Sequence, residues 1–187
     1  MSLVTWNVNS LKVRLPHLQT LLQEYTPSVV CLQETKTEDQ TFPKENIEQL
    51  GYSVIYHGQK TYNGVAILSL EQMSDVHIGI PGFQDDQARV IAATSAAGVR
   101  VINVYVPNGD SLESPKFQYK LSWLRAFVDY VRREVTSYSS LAILGDFNIA
   151  PKEEDVYDAD TFREKVLCTT QERDLFQELL SLGFHDG

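Results

Sequence analysis

Five apolar runs decide the fold: Tyr52-Ser-Val-Ile-Tyr-His57, Gly64-Val-Ala-Ile-Leu-Ser-Leu70, Val76-His-Ile-Gly-Ile80, Ala88-Arg-Val-Ile-Ala-Ala-Thr-Ser95 and Val99-Arg-Val-Ile-Asn-Val-Tyr-Val106. They follow one another with no helical pattern between them. Gly58, Asn63-Gly64, Pro81-Gly82 and Ala97-Gly98 punctuate them as turns. Consecutive strands without crossover helices predict antiparallel pairing, which excludes a simple doubly wound parallel sheet.

Upstream, Leu3 to Val8 reads as a strand. Pro16 to Tyr25 reads as a helix with Pro16 in its first turn and Leu18, Leu21 and Leu22 on one face. Pro27 closes it, Ser28 to Gln33 is a short apolar strand, and Pro43 to Leu50 is a short helix stopped by Gly51. Downstream, Ser114 caps a long helix that Pro115 opens and that runs to about Val135. Leu141 to Leu144 is a buried strand. Thr169 and Glu172 form a capping box for a last helix, which Gly183 stops. Phe184-His185-Asp186-Gly187 reads as the start of a further strand. The expected architecture is α/β: a two-sheet sandwich of mixed or antiparallel strands flanked by helices, in one domain over residues 1–187.

Composition fits a globular core, with 43% of residues hydrophobic. No run approaches the roughly 18 apolar residues of a membrane span, and the N-terminus lacks a signal-type pattern. A soluble, cytoplasmic protein is the default expectation. Cys31 and Cys168 suit buried thiols, not a disulfide framework or a zinc cluster. The net charge of −9 argues against a generally basic surface for a phosphate backbone. It is compatible with one basic face and with carboxylates gathered to hold a cation.

Three polar clusters end apolar strands, where a rigid edge presents a side chain. In Trp6-Asn7-Val8-Asn9 the two amides would share one face of an extended strand, although strand-end Asn is more often turn chemistry. In Cys31-Leu32-Gln33-Glu34-Thr35-Lys36 a carboxylate follows a buried strand, as a hard-metal ligand would. Lys36 would hold that carboxylate or bind a phosphate, and simple solvation at the strand's end weighs about equally. In Leu144-Gly145-Asp146-Phe147-Asn148 a carboxylate and an amide stand two residues apart, suited to orienting a water beside a metal. Gly145 would admit close backbone approach to a ligand; an Asp-Asn turn is the plain alternative. Tyr105 and Asn103 alternate with apolar neighbours, as in a strand with one buried face. A phenol there suits a phosphate oxygen, while a core tyrosine is the commoner explanation.

The conjunction says more than its parts. Trp6-Asn7-Val8-Asn9-Ser10-Leu11, Leu32-Gln33-Glu34-Thr35-Lys36, Asn63-Gly64-Val65-Ala66, Asn103-Val104-Tyr105-Val106-Pro107-Asn108-Gly109 and Leu144-Gly145-Asp146-Phe147-Asn148 occur in this order. Together they resemble the exonuclease III family of abasic-site endonucleases, within the endonuclease/exonuclease/phosphatase superfamily. The resemblance spans Met1 to Gly187. It implies a four-layered α/β sandwich and a Mg²⁺-dependent, or Mn²⁺-dependent, phosphodiesterase of base excision repair. The implied partner is double-stranded DNA with abasic sites or 3′ ends, and the complete enzyme is expected to be a monomer off the membrane. Glu34 is implied as the direct metal ligand, with Asn7 on the metal side. Asp146 is implied to position the attacking water, aided by Asn148. Tyr105 and Asn108 are implied to meet the phosphate and the abasic strand, and Arg14, Lys36, Tyr62 and Asn63 to line the DNA face.

The family's later strands, its further aspartate and its terminal Ser-Asp-His have no counterpart in these residues. His185 stands in a different context and takes no such role. An architecture incomplete at the C-terminus, and a chain of little or no activity, are therefore expected. Two rival readings share the motifs: a superfamily phosphatase or non-specific nuclease, and a non-catalytic DNA-binding relative.

Overall fold

The β-rich run forms strands as expected. The computed structural model describes residues 1–187, and the chain divides into two compact units, neither contiguous in sequence. The first comprises Met1–Gly79, Gln84–Tyr105 and Tyr138–Asp146; the second comprises Ile80–Phe83, Val106–Ser137 and Phe147–Gly187.

The first unit carries two four-stranded sheets. One has the order β1-β2-β4-β3, from β1 (Leu3–Asn7), β2 (Val29–Gln33), β3 (Ser53–His57) and β4 (Val65–Ser69). The other has the order β5-β6-β7-β8, from β5 (Ser74–Ile78), β6 (Val90–Thr94), β7 (Arg100–Tyr105) and β8 (Leu141–Asp146). Pairing is antiparallel except for β1 with β2 and β7 with β8. Those two parallel pairs are the ones whose strands are joined through a helix, α1 (Leu11–Tyr25) and α3 (Pro115–Ser137), since a parallel pair needs a long crossover.

Alternation in β2 explains the layering. Val29 and Cys31 join Val65, Ile67, Ile91, Ala93 and Val101 in the core between the sheets. Val30 and Leu32 point the other way, into a core with Leu11, Leu18 and Leu22 of α1 and Ile47 of α2 (Lys44–Glu48). A strand buried on both faces reads as a continuous apolar run, which is why β2 and β4 show no polar period. Cys31 lies in this core, and burial pushes its thiol far above the ordinary range.

Several local expectations are corrected. Helix α1 begins at Leu11, so Pro16 sits inside it and not in its first turn. Tertiary bonds start the helix early: Ser10 N–H donates to Glu34 O and Leu11 N–H to Thr35 O. Strand β5 lies two residues earlier than expected and is exposed along its length. Strand β8 is half-exposed, not buried, and runs on to Asp146. Strand β7 is buried on both faces, and Asn103 is fully buried. Its amide donates to Leu32 O at 2.9 Å and Ala66 O at 2.8 Å and accepts from Gln33 Nε2 at 2.7 Å, pinning one sheet to the other. Phe184–Gly187 forms no strand.

The second unit holds α3, α4 (Ala159–Phe162) and α5 (Thr170–Ser181), and α3 packs on α5. The capping box is present: Thr169 Oγ1 accepts from Glu172 N–H, and Glu172 returns to Thr169 N–H. No helix is long and apolar enough to cross a membrane.

Candidate active site

Strands β1, β7 and β8 end at Asn7, Tyr105 and Asp146, and Glu34 directly follows β2. Because β1 pairs with β2, and β7 with β8, in parallel, these ends lie at the same edge of their respective sheets. The amide of Asn7 joins them. Its Nδ2 donates to Glu34 Oε1 at 2.7 Å and to Asp146 Oδ2 at 2.8 Å. Its Oδ1 accepts from Asn9 N–H at 3.0 Å, which fixes which end of the amide faces the carboxylates. The two carboxylates thus converge on the two N–H bonds of one neutral group.

Glu34 has further partners. Lys36 Nζ lies 2.9 Å from its Oε2, and the Tyr105 phenol is near enough to help lower its pKa. Burial pushes the Glu34 carboxyl up, but the bonds from Asn7, Lys36 and Tyr105, with the Lys36 charge, outweigh it and hold the group below the ordinary range. Burial first, then the Glu34 charge and hydrogen bond, push Tyr105 up to about 12. The phenol is therefore a proton donor at neutral pH.

The donor set suits a hard divalent cation. Glu34 is kept ionised, and Asp146 stands beside it. No cluster of three or more acidic, histidine or cysteine ligands is present, so water or a phosphate oxygen would complete the coordination, as Mg²⁺ commonly requires.

Other expected residues fall differently. Asn9 does not share a strand face with Asn7: β1 has ended, Asn9 is left-handed (φ 41°), and its Oδ1 accepts from Lys36 Nζ. Asn63 does not line an open face: it is 8% exposed, and its amide donates to Gln59 and Gln87. Tyr62 next to it is 67% exposed. Arg14 is half-buried near the start of α1. Gly145 is demanded by a neighbouring strand, because a Cβ there would lie 2.0 Å from Val104 O.

In the second unit, Asn108 Nδ2 donates to Asn148 Oδ1 at 3.3 Å, and Asn148 Nδ2 donates to Val106 O at 2.9 Å. Lys120 reaches the carbonyls of both Asn108 and Asn148 and pairs with Glu172 at 2.5 Å, with both side chains fully buried. Sequence reasoning missed Lys120. The available signal was its place on the apolar stripe of α3, beside Phe117, Leu121 and Leu124. It also missed Arg89, a cation at the mouth of the apolar strand β6.

A family model described as the Endonuclease/Exonuclease/phosphatase family matches residues 4–177. The exodeoxyribonuclease III of Haemophilus influenzae is 34% identical over 198 residues, covering 100% of this chain and 74% of the relative. Among solved structures, the 3′ phosphatase NExo from Neisseria, bound to product DNA hairpin, is 50% identical with a TM-score of 0.96, covering 98% of this chain and 71% of that one. An AP endonuclease from Archaeoglobus fulgidus is 39% identical with a TM-score of 0.92, covering 98% and 71%. Two mixed four-stranded sheets, paired carboxylates at their edges and these likenesses agree: the chain belongs to the exonuclease III and AP endonuclease branch of the endonuclease/exonuclease/phosphatase family.

Proposed function

We propose that this chain is a divalent-metal-dependent hydrolase of phosphodiester bonds in DNA, acting in repair at 3′ ends or on the 5′ side of abasic sites. The observation that carries the reading is the convergence of Glu34 and Asp146 on Asn7. Glu34, held ionised, is the residue to bind Mg²⁺ or Mn²⁺. The cation would supply charge neutralisation on the phosphoryl and leaving oxygens. Asp146 aims a water in line with the scissile bond and takes up its proton. Tyr105, protonated, donates to a non-bridging phosphate oxygen. Lys36, Arg14 and the exposed Tyr62 are the residues offered to the strand. An abasic nucleotide is favoured because it has no stacking to lose on extrusion.

The relative at 50% identity is described as a 3′ phosphatase, which favours a 3′-phosphorylated end as the first substrate to assay. The test compares the full chain with Glu34→Gln and Asp146→Asn on duplexes bearing a 3′ phosphate, a recessed 3′ end or an internal abasic site. Turnover should require Mg²⁺ or Mn²⁺ and fall by roughly 100-fold or more in both variants. Metal-dependent turnover that survives undiminished in both would remove the assignment. Hydrolysis of an inositol phosphate in preference to every DNA would favour the phosphatase reading instead.

A further inference from the structure

Arg89 is 8% exposed, yet every partner of its guanidinium is uncharged. Its Nε and Nη2 both donate to Gln87 Oε1, at 3.0 and 2.8 Å. Its Nη1 donates to Tyr105 O at 3.1 Å, and the guanidinium lies over the Tyr105 ring, 4.7 Å from its centre. The other deeply buried cations are treated differently: Lys120 faces Glu172 at 2.5 Å, and Arg100 has Asp75 at 3.9 Å. A buried charge without a counterion is costly, so a fold that keeps one among neutral partners only calls for a reason.

The surroundings supply it. Tyr105 N–H donates back to Arg89 O at 2.8 Å, so the two residues clasp each other through backbone, side chain and ring. Gln87 Oε1 also accepts from Asn63, whose Nδ2 donates to Gln59 as well. The same segment, Gln59 to Gly64, carries the exposed Tyr62, and Asn63 O accepts from Lys36 N–H at 2.9 Å beside Glu34. A continuous polar chain therefore runs from this surface segment to the underside of Tyr105.

We propose that Arg89 is a positioning residue, which fixes the Tyr105 ring and gives the site a buried positive charge whose counterion is the phosphate of the substrate. Arginine suits both tasks: its fork seats on one amide oxygen while its flat face packs on a ring. The inference rests on the functional reading above for the identity of the anion, but not for the clasp on Tyr105.

Two conservative variants separate the tasks. Gln87→Glu keeps the acceptor and places a carboxylate against the guanidinium. Its urea midpoint should equal or exceed that of the parent chain, while its affinity for a 3′-phosphorylated duplex should fall on the order of 10-fold and become less sensitive to salt. Arg89→Lys keeps the charge and loses the fork and the flat face. Duplex affinity should stay within about 3-fold of the parent, because the charge is retained. The ¹⁹F resonance of Tyr105 in 3-fluorotyrosine-labelled protein, identified by its loss in Tyr105→Phe, should move or broaden. Turnover per bound complex should also drop by about 10- to 100-fold, as for a misplaced group.

A Gln87→Glu chain that is as stable as the parent and binds duplex equally well would overturn the charge role. An unmoved Tyr105 resonance in folded Arg89→Lys would overturn the positioning role. If the parent chain itself fails to bind duplex, the functional reading falls, and the resonance still decides whether Arg89 holds Tyr105.

Discussion

At the scale of single residues, Asn7 organises the candidate site. A neutral amide between two carboxylates lowers their mutual repulsion without cancelling the charge that a cation needs. Removing it in Asn7→Ala leaves Glu34 and Asp146 facing each other with no shared donor. We expect the Mg²⁺ needed for half-maximal turnover to rise, or turnover to fall, by about 10- to 100-fold, as when other groups that orient a metal ligand are removed. A Mg²⁺ titration of the variant beside the parent measures this. An unchanged titration would return Asn7 to ordinary turn chemistry. Glu34, Tyr105 and Asp146 stood out in the sequence as polar residues near the ends of apolar strands, each with a plain alternative that only the conjunction of motifs outweighed. The burial of Asn63 did not stand out. Its neighbour Tyr62 is exposed while Asn63 is buried, and a turn dipeptide says nothing about which side chain goes inward.

At the scale of elements, the join between α3 and α5 rests on a fully buried ion pair. Glu172 serves twice, closing the capping box of α5 and meeting Lys120. Lys120→Met strands a buried carboxylate and should cost about 3–5 kcal/mol in urea unfolding. Adding Glu172→Gln removes the stranded charge and keeps the capping box, so most of the loss should be recovered. A double variant no more stable than the single one would contradict this account.

The outer strand β5 offers a pH-dependent element. Asp75 accepts from the Tyr138 hydroxyl and lies near Arg100 and His77. The Tyr138 bond does most to hold its carboxyl below the ordinary range; desolvation opposes it, and the Arg100 and His77 charges add to the lowering. A depressed folded value means the stabilisation is present above the ordinary carboxylate range and is lost as pH falls through the lowered value. Since Asp75 is half-exposed, the effect is modest. Unfolding curves from pH 6 down to 2 should show the Asp75→Asn chain losing less stability than the parent. Equal losses would place the acid sensitivity elsewhere.

At the scale of the whole molecule, the charge of −9 opposes approach to a polyanion. Metal at the Glu34–Asp146 pair would remove part of that repulsion where the phosphate must sit. Duplex binding is therefore expected to be weaker in a chelator than in Mg²⁺ or Ca²⁺, and in both cases to weaken with salt. Binding that is indifferent to chelation, with no turnover, is the result a non-catalytic DNA-binding relative would give.

Read by itself, the amino-acid order determined most of the strands, a sandwich of mixed or antiparallel sheets and the two carboxylates, because apolar period, turn residues and strand ends are local properties. The long-range bonds were decided only in three dimensions. The bond from Asn7 to Asp146 spans 139 residues and that from Gln33 to Asn103 spans 70, and no pattern within one segment encodes a partner at that distance. For Lys120 the apolar stripe of α3 hinted at burial, but its partner Glu172, like the Tyr105 ring against Arg89, comes from another segment. The burial of both cations depends on what neighbouring segments place against them, and charge alone gives no sign of it.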